Sequence, residues 1–200
     1  MRVPAAPAEG PDHALQNPDG VRRARAAGLS FSLRFPASDV ELWAARFDAA
    51  QDALIEQRVA PRVRALGYLS KVDFLALARW KSPRSQPRCA RNPEDYIRAV
   101  TRVALSTPNE RLRIEALMLL EGVGWPTASV LLHFGHAEPY PILDVRALWS
   151  LGVRVAPDKY DFDLWWRYTE CCRRLAARLN VTMRTLDRAL WQYSKERQAT

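Results

Sequence analysis

The sequence predicts a mainly α fold of about eight helices, and three observations carry that reading. Apolar residues recur at helical spacing through most of the 200-residue chain, as in helices buried along one face. Helix-start chemistry stands ahead of several of these stretches, at Ser70, Asn92-Pro93-Glu94-Asp95, Thr107-Pro108-Asn109-Glu110 and Thr182. Phe31, Leu33 and Phe35 alternate with polar residues as a strand would, and they stand nearly alone in doing so.

In chain order, residues 1–30 are rich in Ala, Pro, Gly and Arg without periodicity and read as a disordered basic tail. Either the tail is an inert extension, or Arg22, Arg23 and Arg25 add non-specific affinity for DNA. Residues 31–200 are expected to form one domain. Phe31 to Phe35 is a short strand or an extended segment. Ser38-Asp39-Val40-Glu41 reads as a capping box. It opens a helix whose core stripe is Trp43, Phe47, Ala50 and Leu54. Pro61 interrupts or restarts that helix, and Gly67 ends it. The helix capped by Ser70 carries Phe74, Leu75, Leu77 and Ala78 and finishes in Arg79-Trp80-Lys81-Ser82-Pro83-Arg84. With Ser85 to Arg91 after it, this end reads as a basic, proline-broken loop with an aromatic at its start and Lys81 within it. Asn92 as N-cap and Pro93 in the first turn open the next helix, which Tyr96, Ile97, Val100, Val103 and Ala104 continue. A helix over about 162–179 buries Trp165, Tyr168, Thr169, Cys172, Leu175 and Leu179, and a last one buries Met183, Leu186, Leu190 and Tyr193. Arg173, Arg174, Arg178, Arg184 and Arg188 read as a solvated face on these two helices.

The net charge of +8 and pI of about 9.9 suit a nucleic-acid partner. The cations are mostly Arg, which grips phosphate with a fork, although a GC-rich genome also enriches Arg. Three cysteines, Cys89, Cys171 and Cys172, make no disulfide framework, so a reducing cytoplasm is expected. No Cys/His spacing suggests zinc, and His13, His133 and His136 are too scattered to form a ligand set. No apolar run is long enough to span a membrane, and the first residues lack a signal-peptide core.

Residues 112–136 form the most informative stretch. Leu112, Leu117, Leu119 and Leu120 give an apolar helix expected to stop at Glu121. Gly122-Val123-Gly124 allows only a tight turn. A second apolar helix then begins at Trp125 with Pro126 in its first turn. Such a hairpin brings backbone N–H groups and a helix N-terminus to one point, which suits a phosphate. A Pro139-Tyr140-Pro141 corner follows, then Ile142-Leu143-Asp144-Val145-Arg146.

Leu120-Glu121-Gly122-Val123-Gly124-Trp125-Pro126-Thr127-Ala128, followed at the right distance by Ile142-Leu143-Asp144, resembles the core of the helix-hairpin-helix DNA glycosylases, the endonuclease III-like (HhH-GPD) superfamily. The resemblance covers about a fifth of the chain. It implies two helical lobes flanking a cleft with the acid at its mouth, and binding of the DNA backbone by Gly122, Val123, Gly124 and Thr127. Three positions depart from the pattern. Glu121 replaces the hairpin proline. Pro126 stands where bifunctional members carry an imine-forming lysine, so that chemistry is lost there. Arg146 replaces a frequent His, whose role does not transfer. The four spaced cysteines that hold an iron–sulfur cluster in some members are missing, so no cluster and no other cofactor is expected.

The chemistry implied is hydrolysis of an N-glycosidic bond by a monofunctional enzyme without lyase activity. Positive charge builds on the sugar as the bond breaks, and a carboxylate beside the anomeric carbon stabilises it. Asp144 is the candidate, and it is also well placed to cap the helix after it. It can orient the attacking water as well. The target base must be flipped out of double-stranded DNA to reach the cleft. Candidate DNA or base contacts are Trp80, Lys81, Arg84, Gln86, Arg88, Trp125, Tyr140 and Arg146, with Arg84, Gln86 and Arg88 as candidate wedges. The substrate is either a lesion, as in base excision repair, or a hypermodified phage base such as glucosylated hydroxymethylcytosine, as in antiviral defence. A monomer in the cytoplasm is expected. The alternatives are a non-catalytic helix-hairpin-helix DNA-binding protein, which needs the turn and not Asp144, and a helical interaction protein with no salt-dependent DNA affinity.

Overall fold

Ten α-helices and no strand occur among residues 29–198, which the computed structural model describes. The tail expected over 1–30 therefore lies outside the described residues except for Leu29 and Ser30. The helices are α1 (Val40–Ala45), α2 (Ala60–Leu66), α3 (Lys71–Lys81), α4 (Gln86–Cys89), α5 (Glu94–Ser106), α6 (Glu110–Leu117), α7 (Trp125–Gly135), α8 (Val145–Ser150), α9 (Phe162–Leu179) and α10 (Met183–Arg197).

The innermost helix is α7, in which every residue from Thr127 to Gly135 is buried. A helix apolar on all sides can only be stable surrounded by others, and α2, α3 and α6 pack around it. Its Leu131 and Leu132 are fully buried together with Phe74 and Leu77 of α3. On the other side of the molecule, α10 packs against α1, α8 and α9. The amphipathic stripes of α9 and α10 are buried much as their spacing predicts, with Trp165, Tyr168, Cys172, Leu186 and Leu190 inaccessible.

Several local expectations change. The Phe31–Phe35 segment is extended, and its Ser32 and Arg34 N–H groups donate to the carbonyls of Leu151 and Ser150 at 2.9 Å each. No capping box forms at Ser38, whose hydroxyl donates to Asp39 Oδ1 at 3.0 Å, and Asp39 at the N-cap of α1 makes no side-chain cap bond. Helix α1 stops at Ala45, and the chain passes through a 3₁₀ turn (Ala50–Asp52) and a π-helical segment (Ile55–Val59) before α2. The predicted stripe is thus broken: Trp43 is buried, Leu54 is exposed, and Phe47 is freed to face a cavity. Pro61 does restart a helix, and Gly67 ends it with a left-handed φ of 69°. Lys81, expected in a basic loop, is instead the last residue of α3, and the loop expected through Arg91 contains a 3₁₀ turn and the short helix α4. Helix α6 ends at Leu117 rather than Glu121, leaving Leu119 exposed on the turn beyond it.

Candidate active site

The site is assembled from the turn between α6 and α7, the end of α3 and the start of α8. At the turn, Gly122 has φ 81°, a left-handed conformation that disfavours any side chain. A Cβ there would also lie 2.8 Å from Cys89 Sγ and 2.9 Å from Cys89 N, so the backbone of α4 presses directly on the turn. Asn92 fixes the same turn: its Nδ2 donates to the Glu121 carbonyl at 3.0 Å, and its Oδ1 accepts from the Glu121 N–H at 2.9 Å. Asn92 is therefore not the N-cap of α5, which Pro93 occupies without a side-chain bond. Gly124, in extended conformation, caps α7 with no side chain, and open space lies where its Cβ would be. The N-terminus of α7 is left open to an anion.

Asp144 lies at the N-cap of α8, where its Oδ1 accepts from the Arg146 N–H at 2.8 Å. Its Oδ2 accepts from Lys81 Nζ, the last residue of α3, at 2.5 Å. Burial alone would push the Asp144 carboxyl up, but the Lys81 ammonium and the Arg146 N–H outweigh it and hold the acid below its ordinary range. The carboxylate is ionised at neutral pH and held from both sides.

Two cavities meet at this pair. One, of about 350 Å³, runs along the turn past Gly122, Pro126, Thr127 and Arg88. The other, of about 320 Å³, is walled by the aromatic rings of Phe47, Trp80 and Trp191 and by Asp52, Arg184 and Asp187. Lys81 and Asp144 line both. The inner wall of the second is an ion network joining the N-terminal part of the domain to α10. Arg184 donates Nε to Glu56 at 2.7 Å, Nη1 to Asp187 at 2.6 Å and Nη2 to Asp52. Arg188 reaches Asp52 and Glu56, and Trp80 Nε1 donates to Asp52 at 3.0 Å. Burial raises the Asp187 carboxyl to about 6, against the pull of Arg184 and Lys81.

No family model, curated protein or solved structure matches this chain. The site therefore rests on its own geometry.

That geometry brings together Trp80, Lys81, Arg88, Gly122, Thr127 and Asp144 from the residues singled out in the sequence. Val123 is buried within the turn, and Gly124 is exposed on it. Arg84 and Gln86 lie beyond Lys81 on the 3₁₀ turn and at the start of α4, outside both cavity walls. Arg146 lies over the Trp191 ring at 5.5 Å. Trp125 turns away to a third cavity, shared with Tyr160 and Phe162. Tyr140 does not reach the site: its ring is buried and stacked on Trp165 at 5.8 Å, and its hydroxyl donates to Glu110 at 2.7 Å. The proline corner points this residue inward rather than toward Asp144's cavity.

Sequence reasoning missed Asn92's clamp and the Asp52–Glu56–Arg184–Arg188–Asp187 network. Arg184 and Arg188 do not belong to a solvated face, since their side chains are only 15% and 22% exposed. Their spacing on α10 places them on one face, but only the fold reveals the acids opposite. Among the described residues no group of three or more His, Cys, Asp or Glu could hold a metal ion, and no helix is long and apolar enough to cross a membrane.

Proposed function

We propose that this protein is a monofunctional DNA glycosylase with two helical lobes about a cleft, which flips a damaged or modified base out of double-stranded DNA and releases it by hydrolysis. The observation that carries this reading is the Lys81–Asp144 pair at the junction of an aromatic-walled cavity and a groove that ends at an open helix N-terminus. The cavity takes the base, the pair meets the sugar, and the turn at Gly122–Gly124 holds a backbone phosphate. As the C–N bond breaks, its electron pair leaves with the base, and Asp144 stabilises the positive sugar. Water oriented by the same carboxylate adds to the anomeric carbon, and its proton is passed on to the departing base. This chemistry needs neither a metal nor a cofactor. The enzyme acts as a monomer, and a cytoplasmic, nucleoid-associated setting fits its substrate. The base is a lesion or a hypermodified phage base.

A base-release assay over duplexes carrying modified bases, phage DNA included, tests the reading. Asp144→Asn should lower release about 10²–10³-fold while DNA affinity stays within about twofold. Near-normal turnover in the variant removes Asp144 from the mechanism. DNA binding without release from any substrate favours the non-catalytic alternative.

The same pair defines a second reading for the test to exclude. The amine missing at Pro126 is present across the same groove in Lys81, 2.5 Å from Asp144. As an ion-paired ammonium it has no lone pair for the sugar, which supports hydrolysis. If Lys81 instead gave its proton to Asp144, it could form an imine and cut the strand. Borohydride in the presence of substrate DNA should trap no adduct, and the abasic strand should stay intact until alkali is added. An adduct lost in Lys81→Ala would make the enzyme bifunctional.

A further inference from the structure

We infer that Asp187 selects the base, its free carboxylate oxygen accepting a hydrogen bond from an exocyclic amino group, so that the cavity takes amino-bearing bases of the adenine or cytosine type and rejects their oxo counterparts. The inference rests on the reading of this cavity as the base pocket.

The argument is an inventory of donors and acceptors along the wall. Asp187 is 7% exposed and lines the cavity. Its Oδ2 accepts from Arg184, while its Oδ1 accepts no hydrogen bond among the described residues. That oxygen is not sealed inside the protein, so it is free to take a donor from whatever fills the cavity. The two protein cations nearest to it are each engaged with carboxylates. Each of the three side-chain nitrogens of Arg184 donates to a carboxylate, and Lys81 is paired with Asp144. Asp52 accepts from Trp80, Arg184 and Arg188, so it cannot rotate to offer itself instead. The other cation of the lining, Lys195, is exposed and lies over the Trp191 ring at 5.1 Å. At Asp187 the inner wall thus presents an acceptor, with each nitrogen of the adjoining Arg184 turned to a carboxylate. An amino edge satisfies Asp187, whereas a carbonyl in the same place sets acceptor against acceptor. A site built around one hydrogen bond rejects the ligand that lacks it far more strongly than a purely apolar pocket would. The flat walls of Trp80 and Trp191 accept the faces of either ring size, so the discrimination falls to the edge. The space of about 320 Å³ equals roughly ten water molecules, enough for a single base.

The charged state agrees with this role. Asp187 faces Arg184 of its own helix, Lys81 of α3, Asp144 before α8, and Tyr168 and Cys172 of α9. With its acid raised to about 6, it is largely ionised at neutral pH and becomes protonated as pH falls below that value.

The test uses the fluorescence of the intact protein, since Trp80 and Trp191 line the cavity, and it needs no turnover. Free adenine is titrated against hypoxanthine and cytosine against uracil, pairs that differ by an amino group in place of an oxygen. At pH 7.5 we expect the amino member to bind at least about tenfold tighter, and the preference to shrink at pH 5. Asp187→Asn, which can donate as well as accept, should bring each pair within about threefold; Asp187→Glu, which keeps the carboxylate, should retain the preference. Equal affinities in the wild-type protein, no binding of any base at millimolar concentration, or an undiminished preference in a folded Asp187→Asn protein overturns the inference. Should Asp187→Asn fail to fold, the wild-type titration still decides. Base release with no amino preference sinks this inference and spares the glycosylase reading; an amino preference with no base release from any DNA does the reverse.

Discussion

Asn92 offers the sharpest test at the scale of a single residue. Both of its polar atoms bond the backbone of Glu121, Nδ2 donating to the Cys89 carbonyl as well, and Asn92→Ala would leave the Glu121 N–H and carbonyl without partners. We expect a loss of about 1–3 kcal/mol in denaturant unfolding, and weaker binding to every DNA sequence alike, since a phosphate contact carries no sequence information. Gly124→Ala separates the two effects. Nothing stands within 4 Å of its added Cβ, so stability should be unchanged while a phosphate drawn close to the turn would be pushed away. Unchanged DNA affinity in that folded variant argues against phosphate binding at the turn. Gly122→Ala is a less informative change, because a left-handed φ and contact with Cys89 make it a folding mutant first. The need for Gly122 and the capping by Asp144 were legible in the sequence, as each depends on its immediate neighbours. The role of Asn92 was not. Asn before Pro-Glu-Asp satisfies every local rule for an N-cap, and only the approach of a turn 29 residues away redirects it.

At the scale of the element, α7 holds the prediction. His133 is buried in this helix, and one ring nitrogen, Nδ1, lies 2.7 Å from the Tyr140 carbonyl. That contact ties the end of α7 to the corner that leads to Asp144. Burial, together with the positive charge of Arg184, depresses the imidazole to about 3. A depressed folded-state value means that stability is fully present above the unfolded value near 6.5 and is lost as pH falls from there toward 3. The proton taken up on unfolding corresponds to as much as about 5 kcal/mol. Urea unfolding between pH 7 and pH 4 should therefore show a steep acid loss in the wild type that is flatter in His133→Asn. Equal slopes would mean that His133 charges in place. Elements with continuous apolar stripes, such as α9 and α10, were read almost to the residue. The stretch from Phe47 to Val59 was not, since the demands of the cavity and the ion network override helical spacing there. The short α4 was hidden by Pro87 and Arg88, which in isolation favour a loop.

At the scale of the whole molecule, the fold class was legible because periodicity and helix-start residues agree along most of the chain. The pairing of Lys81 with Asp144 was not, and neither was the meeting of Asp52 and Glu56 with Arg184 and Arg188. Such long-range ion pairs leave no periodic trace, because either partner alone looks like an ordinary surface charge. The ion network also imposes an order on the molecule's birth. Asp52 is made 132 residues ahead of Arg184. At a ribosome's pace of about 5–20 residues per second, the acid waits roughly 7–26 s for its partner. Throughout that interval α1 also lacks α10, the helix it packs against. The inner wall of the cavity is therefore among the last parts to form, and a chain released before residue 184 leaves the ribosome without it.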